Sequence, residues 1–328
     1  MRTPASIRRL RPSVLFLLAS AALVTACAVN PVTGKRQLML ISTAQEAALG
    51  AEADRAITTS YGLYDDAALS NHIAAMGEQM ARDSHRPDLE WTFRVLDSPV
   101  INAFAVPGGY VYVTRGILPW LGSEAELAGV LGHEIGHITA RHSAQRLSQA
   151  QLAQVGLGVG SALSGTFRRY SALAEAGVGL LMLSFSRENE READRLGVEY
   201  ATTGGWAAGE MANFFATLER MQPKSGGGLP DWLSTHPAPE RRVETVRELA
   251  EEWRGRVEHA TLMVNRDEYL RLIDGIVYGN DPRQGYVRDG WFNHPGLTFR
   301  FPVPGGWELL NEPARVQITE PDGEAAIL

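Results

Sequence analysis

His133-Glu134-Ile135-Gly136-His137 is a His-Glu-x-x-His stretch. On a helix, residues i and i+4 lie one turn apart on one face, so both imidazoles can reach a single metal ion. Glu134 then stands at the edge of that face, placed to take a proton from metal-bound water. The pattern points to a metal-dependent hydrolase holding one zinc ion per chain. The flanks support the helix: Ser123 followed by Glu126 is a capping-box pattern, and Leu127, Val130, Leu131, Ile135 and Ile138 recur at amphipathic spacings. They predict a helix from Glu124 to about Leu147. In projection Leu127, Leu131 and Ile138 form the buried stripe, His133 and His137 lie to one side of it, and Gly129, Gly132 and Gly136 line the next strip. Each of those glycines sacrifices about 1 kcal/mol of helix propensity relative to Ala, so something packs close to the strip. The spacing does not say whether that is a second helix or a substrate.

A zinc site needs a third protein ligand. In the metzincin pattern a histidine would stand six residues after His137, where this chain has Ser143. His142 is one residue short and turns to another part of the helix, so it is read as structural. Downstream, Ser186-Arg187-Glu188-Asn189-Glu190-Arg191-Glu192-Ala193-Asp194 reads as a second helix with Glu190 and Asp194 four residues apart. One can serve the metal and the other can orient a ligand histidine. Spacing alone does not choose among Glu188, Glu190 and Glu192.

These two motifs resemble a known family, as do Asn30-Pro31-Val32-Thr33-Gly34-Lys35-Arg36-Gln37, Asn102-Ala103-Phe104-Ala105-Val106-Pro107-Gly108-Gly109, and Ser234-Thr235-His236-Pro237 with Arg242 after it. It is the gluzincin zinc metalloprotease family that includes HtpX, the CAAX prenyl endopeptidase and the periplasmic proteases BepA, LoiP and YcaL. The match covers most of residues 30 to 255. The resemblance implies that His133, His137 and Glu190 hold zinc, that Glu134 is the general base, and that Asp194 supports a ligand from behind. It also brings the segment around His236 near the active site. There His236 would either occupy the open coordination position and hold the enzyme latent, or donate a hydrogen bond to the oxyanion with Arg242 nearby. Flexible Gly226-Gly227-Gly228 on one side and Pro237 on the other would let its imidazole approach and leave.

Ahead of the metal motif, Trp91, Phe93 and Val95 alternate as a half-buried strand. Val100 to Val106 and Tyr110 to Thr114 flank Pro107-Gly108-Gly109, a turn in which Pro presets one dihedral and Gly supplies positive φ. The resemblance implies that the strand containing Asn102, Ala103 and Phe104 is an edge that pairs with extended substrate. An ordinary hairpin roofing the core fits the same residues. The expected fold is therefore α+β and mostly helical: a gluzincin domain with a zinc-binding helix and a small sheet with an edge strand.

Arg2, Arg8, Arg9 and Arg11 precede an apolar run from Val14 to Ala26, a secretory signal too short to span a membrane as a mature helix. Val24-Thr25-Ala26-Cys27 resembles a bacterial lipobox, in which Cys27 is acylated and becomes the new N-terminus. It is the chain's one cysteine, so an internal disulfide is excluded. Ala28 follows it, where Asp would commonly mark retention in the inner membrane, so the expected location is the periplasmic face of the outer membrane. Loss of residues 1–26 removes four arginines and no acid, taking the formal charge from −7 to −11. Nucleic acid is excluded as a partner on that ground.

The expected domains are a lipoprotein signal peptide over 1–26, a zinc metalloprotease over 27–255 and a small C-terminal α+β appendage over 256–328. Residues 151–185 are rich in Gly, Ala and Leu, but the longest apolar stretch, Leu173 to Phe185, contains Glu175 and falls short of the ~20 residues a span needs. They are read as buried helix or an active-site cover. Further helices are expected from about Glu240 to Trp253 and around Asp267 to Ile273, with an alternating strand at Leu297 to Phe301. No internal repeat and no tetratricopeptide pattern is found.

The expected function is a zinc endopeptidase of the cell envelope, acting on unfolded or misassembled envelope proteins in protein quality control. Two alternatives are a non-proteolytic assembly factor or chaperone using the same cleft, and a zinc hydrolase of a non-peptide bond.

Overall fold

The structure is a computed structural model that describes residues 27–156, 184–221, 231–237, 241–258, 261–312, 315–321 and 326–327. The expected signal peptide, most of the stretch read as a cover and the glycine loop before His236 lie outside the described residues.

The described chain opens with a hairpin, β1 (Cys27–Val29) against β2 (Arg36–Leu38). The side chain of buried Asn30 shapes its turn by accepting from the N–H groups of Val32 and Thr33. Two helices follow, α1 (Thr43–Tyr61) and α2 (Ala67–Arg82), capped by the side chains of Ser42 and Asp66. Next come β3 (Thr92–Leu96), β4 (Ala103–Val106) and β5 (Tyr110–Thr114). Central β5 runs parallel to β3 and antiparallel to β4, leaving β4 at an edge. The turn between β4 and β5 has Gly108 at φ +90° and Gly109 at φ +102°, a conformation that disfavours any residue with a Cβ.

β4 is shorter than the 100–106 expected. The Thr114 hydroxyl takes up the carbonyls of Val100 and Asn102, and the Ile101 carbonyl accepts from the Trp232 N–H. Because Asn102 C=O also accepts the Thr114 N–H, the alternation of an antiparallel ladder turns the main-chain groups of Phe104 and Val106 toward β5. The N–H and C=O groups of Ala103 and Ala105 face the other way, with no strand across them among the described residues.

Helix α3 (Glu124–Thr139) starts at Ser123, whose side chain accepts from the Glu126 N–H. All of its residues are buried, not one stripe alone. It therefore serves as the central post, packed by α2, by the sheet and by later helices. The predicted helix to Leu147 is two helices, because the chain breaks at Arg141, which has φ +60°, before α4 (His142–Gly156) begins. The break is held by a buried ion cluster. Arg141 pairs with Glu46 at 2.9 Å and donates to the Ile41 carbonyl, while Arg86 pairs with the same Glu46 and caps the Ile138 carbonyl.

The glycine strip of α3 meets α5 (Arg187–Thr203) and the start of α6 (Met211–Met221). A Cβ on Gly132 would lie 2.8 Å from the Gly197 carbonyl oxygen, one on Gly136 3.1 Å from the Ala193 carbonyl oxygen, and one on Gly129 2.6 Å from the Met211 Cβ. Helix packing is thus what those glycines serve. Trp232 of the short α7 (Asp231–Thr235) and Val246 of α8 (Arg242–Arg254) complete the same core.

Residues beyond 256 stay bonded to this body. Met263 pairs with Gly205 and Ala207, the buried Tyr269 of α9 (Arg266–Leu272) donates to the Leu118 carbonyl, and Arg115 donates to the carbonyls of Val277 and Gly279. Two antiparallel three-stranded sheets follow: β6 (Tyr286–Arg288), β7 (Trp291–His294) and β8 (Phe299–Pro302), then β9 (Glu308–Glu312), β10 (Arg315–Thr319) and β11 (Ala326–Ile327). The fold is α+β and mostly helical, as expected. No described helix is long and apolar enough to cross a membrane.

Candidate metal centre

α3 presents His133 and His137 one turn apart, their Nε2 atoms 3.0 Å from each other. The close glycine contact between α3 and α5 brings Glu190 against them, with Oε2 3.5 Å from His133 Nε2 and Oε1 3.4 Å from His137 Nε2. Ser186 and Asn189 begin α5 with a reciprocal capping box, which sets where its first turn, and so Glu190, stands. From the end of α7, His236 enters with Nδ1 3.1 Å from Glu190 Oε1 and 3.3 Å from His133 Nε2. Each of these four buried residues offers a ligand atom, and the atoms lie within 4.8 Å of one another.

This donor set suits a metal ion. Imidazole nitrogens with one carboxylate oxygen are the ligands zinc takes. Asp194 Oδ1 lies 2.9 Å from His133 Nδ1, which fixes that ring's proton on Nδ1 and leaves the Nε2 lone pair facing the centre. Burial keeps His137 neutral, well below the ordinary histidine pKa, the form in which imidazole binds metal. Burial opposes charge on Glu190 as well, but His236, His133 and His137 outweigh it and hold the carboxylate ionised well below its usual range. At His133 burial pulls the pKa down, yet Asp194 and Glu190 draw it up to about 9, the mark of a pocket whose field favours a cation.

Glu134 is fully buried, and neither carboxylate oxygen has a hydrogen-bond partner among the described residues. His236 Nε2 approaches to 3.6 Å. Burial raises the Glu134 pKa to about 7, against the pull of His236 and His133. Arg242, the first residue of α8, is engaged from behind. It makes a two-point pair with Asp194 at 2.9 and 2.7 Å, reaches Glu190 Oε2 at 3.3 Å, and lies 3.8 Å over the Phe215 ring. Phe185 stacks on His137 and Trp232 on His236, with ring centroids 4.0 and 4.3 Å apart.

Of the three glutamates that spacing could not separate, Glu190 lies at the centre, Glu188 is exposed, and Glu192 contacts His142. His142, read as structural, lies outside the group of ligand atoms but does not turn away from the site as expected. A continuous helix would turn it away, but the left-handed Arg141 swings it back until its Nδ1 lies 2.9 Å from His137 Nδ1. Helical periodicity carries no signal of that break. Of the expected substrate edge, Ala103 packs in the core cluster with α3, while Phe104 turns to Ile57 and Tyr112. The main-chain edge that β5 leaves unpaired is that of Ala103 and Ala105, because the ladder turns alternate residues inward; of the two, Ala103 is buried and Ala105 half-buried. Cys27 begins β1, paired with Leu38.

The chain matches the model of peptidase family M48 over residues 67–250. It is similar to the beta-barrel assembly-enhancing protease of Escherichia coli K12, 30% identical over 261 residues that cover 76% of this chain and 52% of the relative. The beta-barrel assembly-enhancing protease of Yersinia pestis is 31% identical over 220 residues, 64% of this chain and 45% of the relative. The mitochondrial metalloendopeptidase OMA1 of Schizosaccharomyces pombe is 29% identical over 232 residues, 66% and 65% of the two chains. The chain spans about half the length of the beta-barrel assembly-enhancing proteases it matches.

Proposed function

The chain belongs to peptidase family M48, and we propose that it is a zinc-dependent endopeptidase of the bacterial cell envelope that cleaves unfolded or misassembled envelope proteins. The observation that carries this reading is Glu134, a fully buried carboxylate with both oxygens unpartnered among the described residues, beside converging ligand atoms of His133, His137 and Glu190. Burying a carboxylate without partners is costly, and a site that only bound chains would have no use for it. A base awaiting a proton accounts for it. Similarity to beta-barrel assembly-enhancing proteases supports the envelope and the substrate class.

The chemistry that a zinc ion supplies when bound is Lewis acidity toward the scissile carbonyl and the attacking water. Glu134 takes the proton from the attacking water and delivers it to the leaving amine. Asp194, braced by Arg242, holds His133 in the tautomer that keeps Nε2 free. The unpaired edge of β4, reached at the half-buried Ala105, receives extended peptide, which selects unfolded chain over compact loops. Lipid on Cys27 keeps the enzyme at the membrane.

Mass-spectrometric mapping of peptides released from casein, an unfolded protein, tests activity and bond type together. Wild type should release internal peptides. Glu134→Gln should retain about one zinc per chain and lose activity by roughly 10²-fold to 10⁴-fold, the usual effect of removing a general base. Glu190→Ala should lose the zinc as well. Full zinc in Glu190→Ala would remove Glu190 from the ligand set, and cleavage by Glu134→Gln equal to that by wild type would exclude Glu134 as the base.

A further inference from the structure

We propose that His142 and Glu192 are positioning residues for His137, forming a hydrogen-bonded relay that keeps the His137 proton on Nδ1 and directs its Nε2 lone pair into the metal centre. The inference rests on the zinc reading above. His142 is 1% exposed and uses both ring nitrogens, Nδ1 at 2.9 Å from His137 Nδ1 and Nε2 at 3.2 Å from Glu192 Oε2.

The direction of the relay follows from what each group can do. An ionised carboxylate only accepts, so Glu192 requires the His142 proton on Nε2. Neutral His142 then offers a lone pair at Nδ1, which accepts a hydrogen bond from His137 Nδ1–H and leaves His137 Nε2 unprotonated. The opposite polarity would place a proton on His137 Nε2, where a ligand lone pair is needed. Phe185, stacked on His137, fixes the plane in which the ring is held.

Two features of the fold exist in support of this contact. Arg141 takes a left-handed conformation braced by its buried pairing with Glu46 and its bond to the Ile41 carbonyl, and that conformation is what turns His142 back onto His137. The second is the division of labour on α5. Glu190 faces the centre, Asp194 supports His133 directly, and Glu192, two residues from each, reaches His137 through His142. One helix thereby supplies a ligand and orients both of the histidines on α3.

The test is zinc affinity of the full chain, measured by competition with a chromophoric chelator, together with the histidine tautomers read from ¹⁵N shifts of the zinc-loaded protein. His142→Phe, which keeps bulk but has no acceptor, and Glu192→Ala should each weaken zinc binding by roughly 10-fold to 100-fold, the usual effect of losing a group behind a ligand. Glu192→Gln should lose less, since its amide oxygen still accepts from Nε2. Wild-type His142 should carry its proton on Nε2. Unchanged zinc affinity in His142→Phe and Glu192→Ala, even with a lowered apo-protein melting temperature, would assign the pair to packing and overturn the inference. A proton on His142 Nδ1 would overturn it as well, and this measurement stands even where His142→Phe fails to fold. A wild type that takes up no zinc overturns the zinc reading and this inference together.

Discussion

His236 shows how far one side chain can shift a mechanism. Two roles follow from its sequence context, a latch on the open coordination position or a donor to the oxyanion. Its Nδ1 lies among the ligand atoms, 3.3 Å from His133 Nε2, while the Nε2 that would serve an oxyanion faces Glu134 at 3.6 Å. The latch is therefore the expected role, and His236→Ala should raise turnover on an unfolded substrate while retaining zinc on the other three ligands. A fall of roughly 10²-fold to 10³-fold would assign it to the oxyanion instead. Turnover and metal content of the purified variant decide the matter. Glu134 and Glu190 illustrate the same scale: both are buried glutamates, yet neighbouring imidazoles hold one ionised and desolvation leaves the other near neutrality.

Between elements, the contact that matters most is α3 against α5. Gly132 and Gly197 let the two backbones approach so closely that an added Cβ on Gly132 would stand 2.8 Å from a carbonyl oxygen, which cannot rotate away as a side chain can. Gly132→Ala should destabilise the protein by about 1–3 kcal/mol through overpacking, less the roughly 1 kcal/mol of helix propensity that Ala restores. Gly129→Ala should cost at least as much, because there the nearest atom is the Met211 Cβ at 2.6 Å, which is fixed to the backbone. Thermal denaturation of the two apo proteins provides the comparison, and an equal melting temperature for Gly132→Ala and wild type would remove the strip from the packing argument. Since Gly132 precedes His133, its variant should also bind zinc more weakly.

For the molecule as a whole, the lipid anchor proposed at Cys27 carries a prediction of its own. Wild type expressed with its full N-terminal segment should sediment with membranes, and Cys27→Ser should appear in the soluble fraction. Equal sedimentation of the two would show that Cys27 carries no anchor. Much of this architecture is legible in sequence, because the information is local. The His133–His137 and Glu190–Asp194 spacings, the Ser123 cap and the Pro107-Gly108-Gly109 turn each act within a few residues, so the metal helix, the glutamate helix and the hairpin can be read directly. What only the tertiary structure decided involves residues far apart in the chain. Glu46 meets Arg141 across some ninety positions and breaks a helix that periodicity would continue. Gly197 explains Gly132, and Glu192 gives His142 a purpose. A helical period records which face a residue occupies, but it holds no record of what another segment brings to that face, and that pairing determines which carboxylates surround the metal centre.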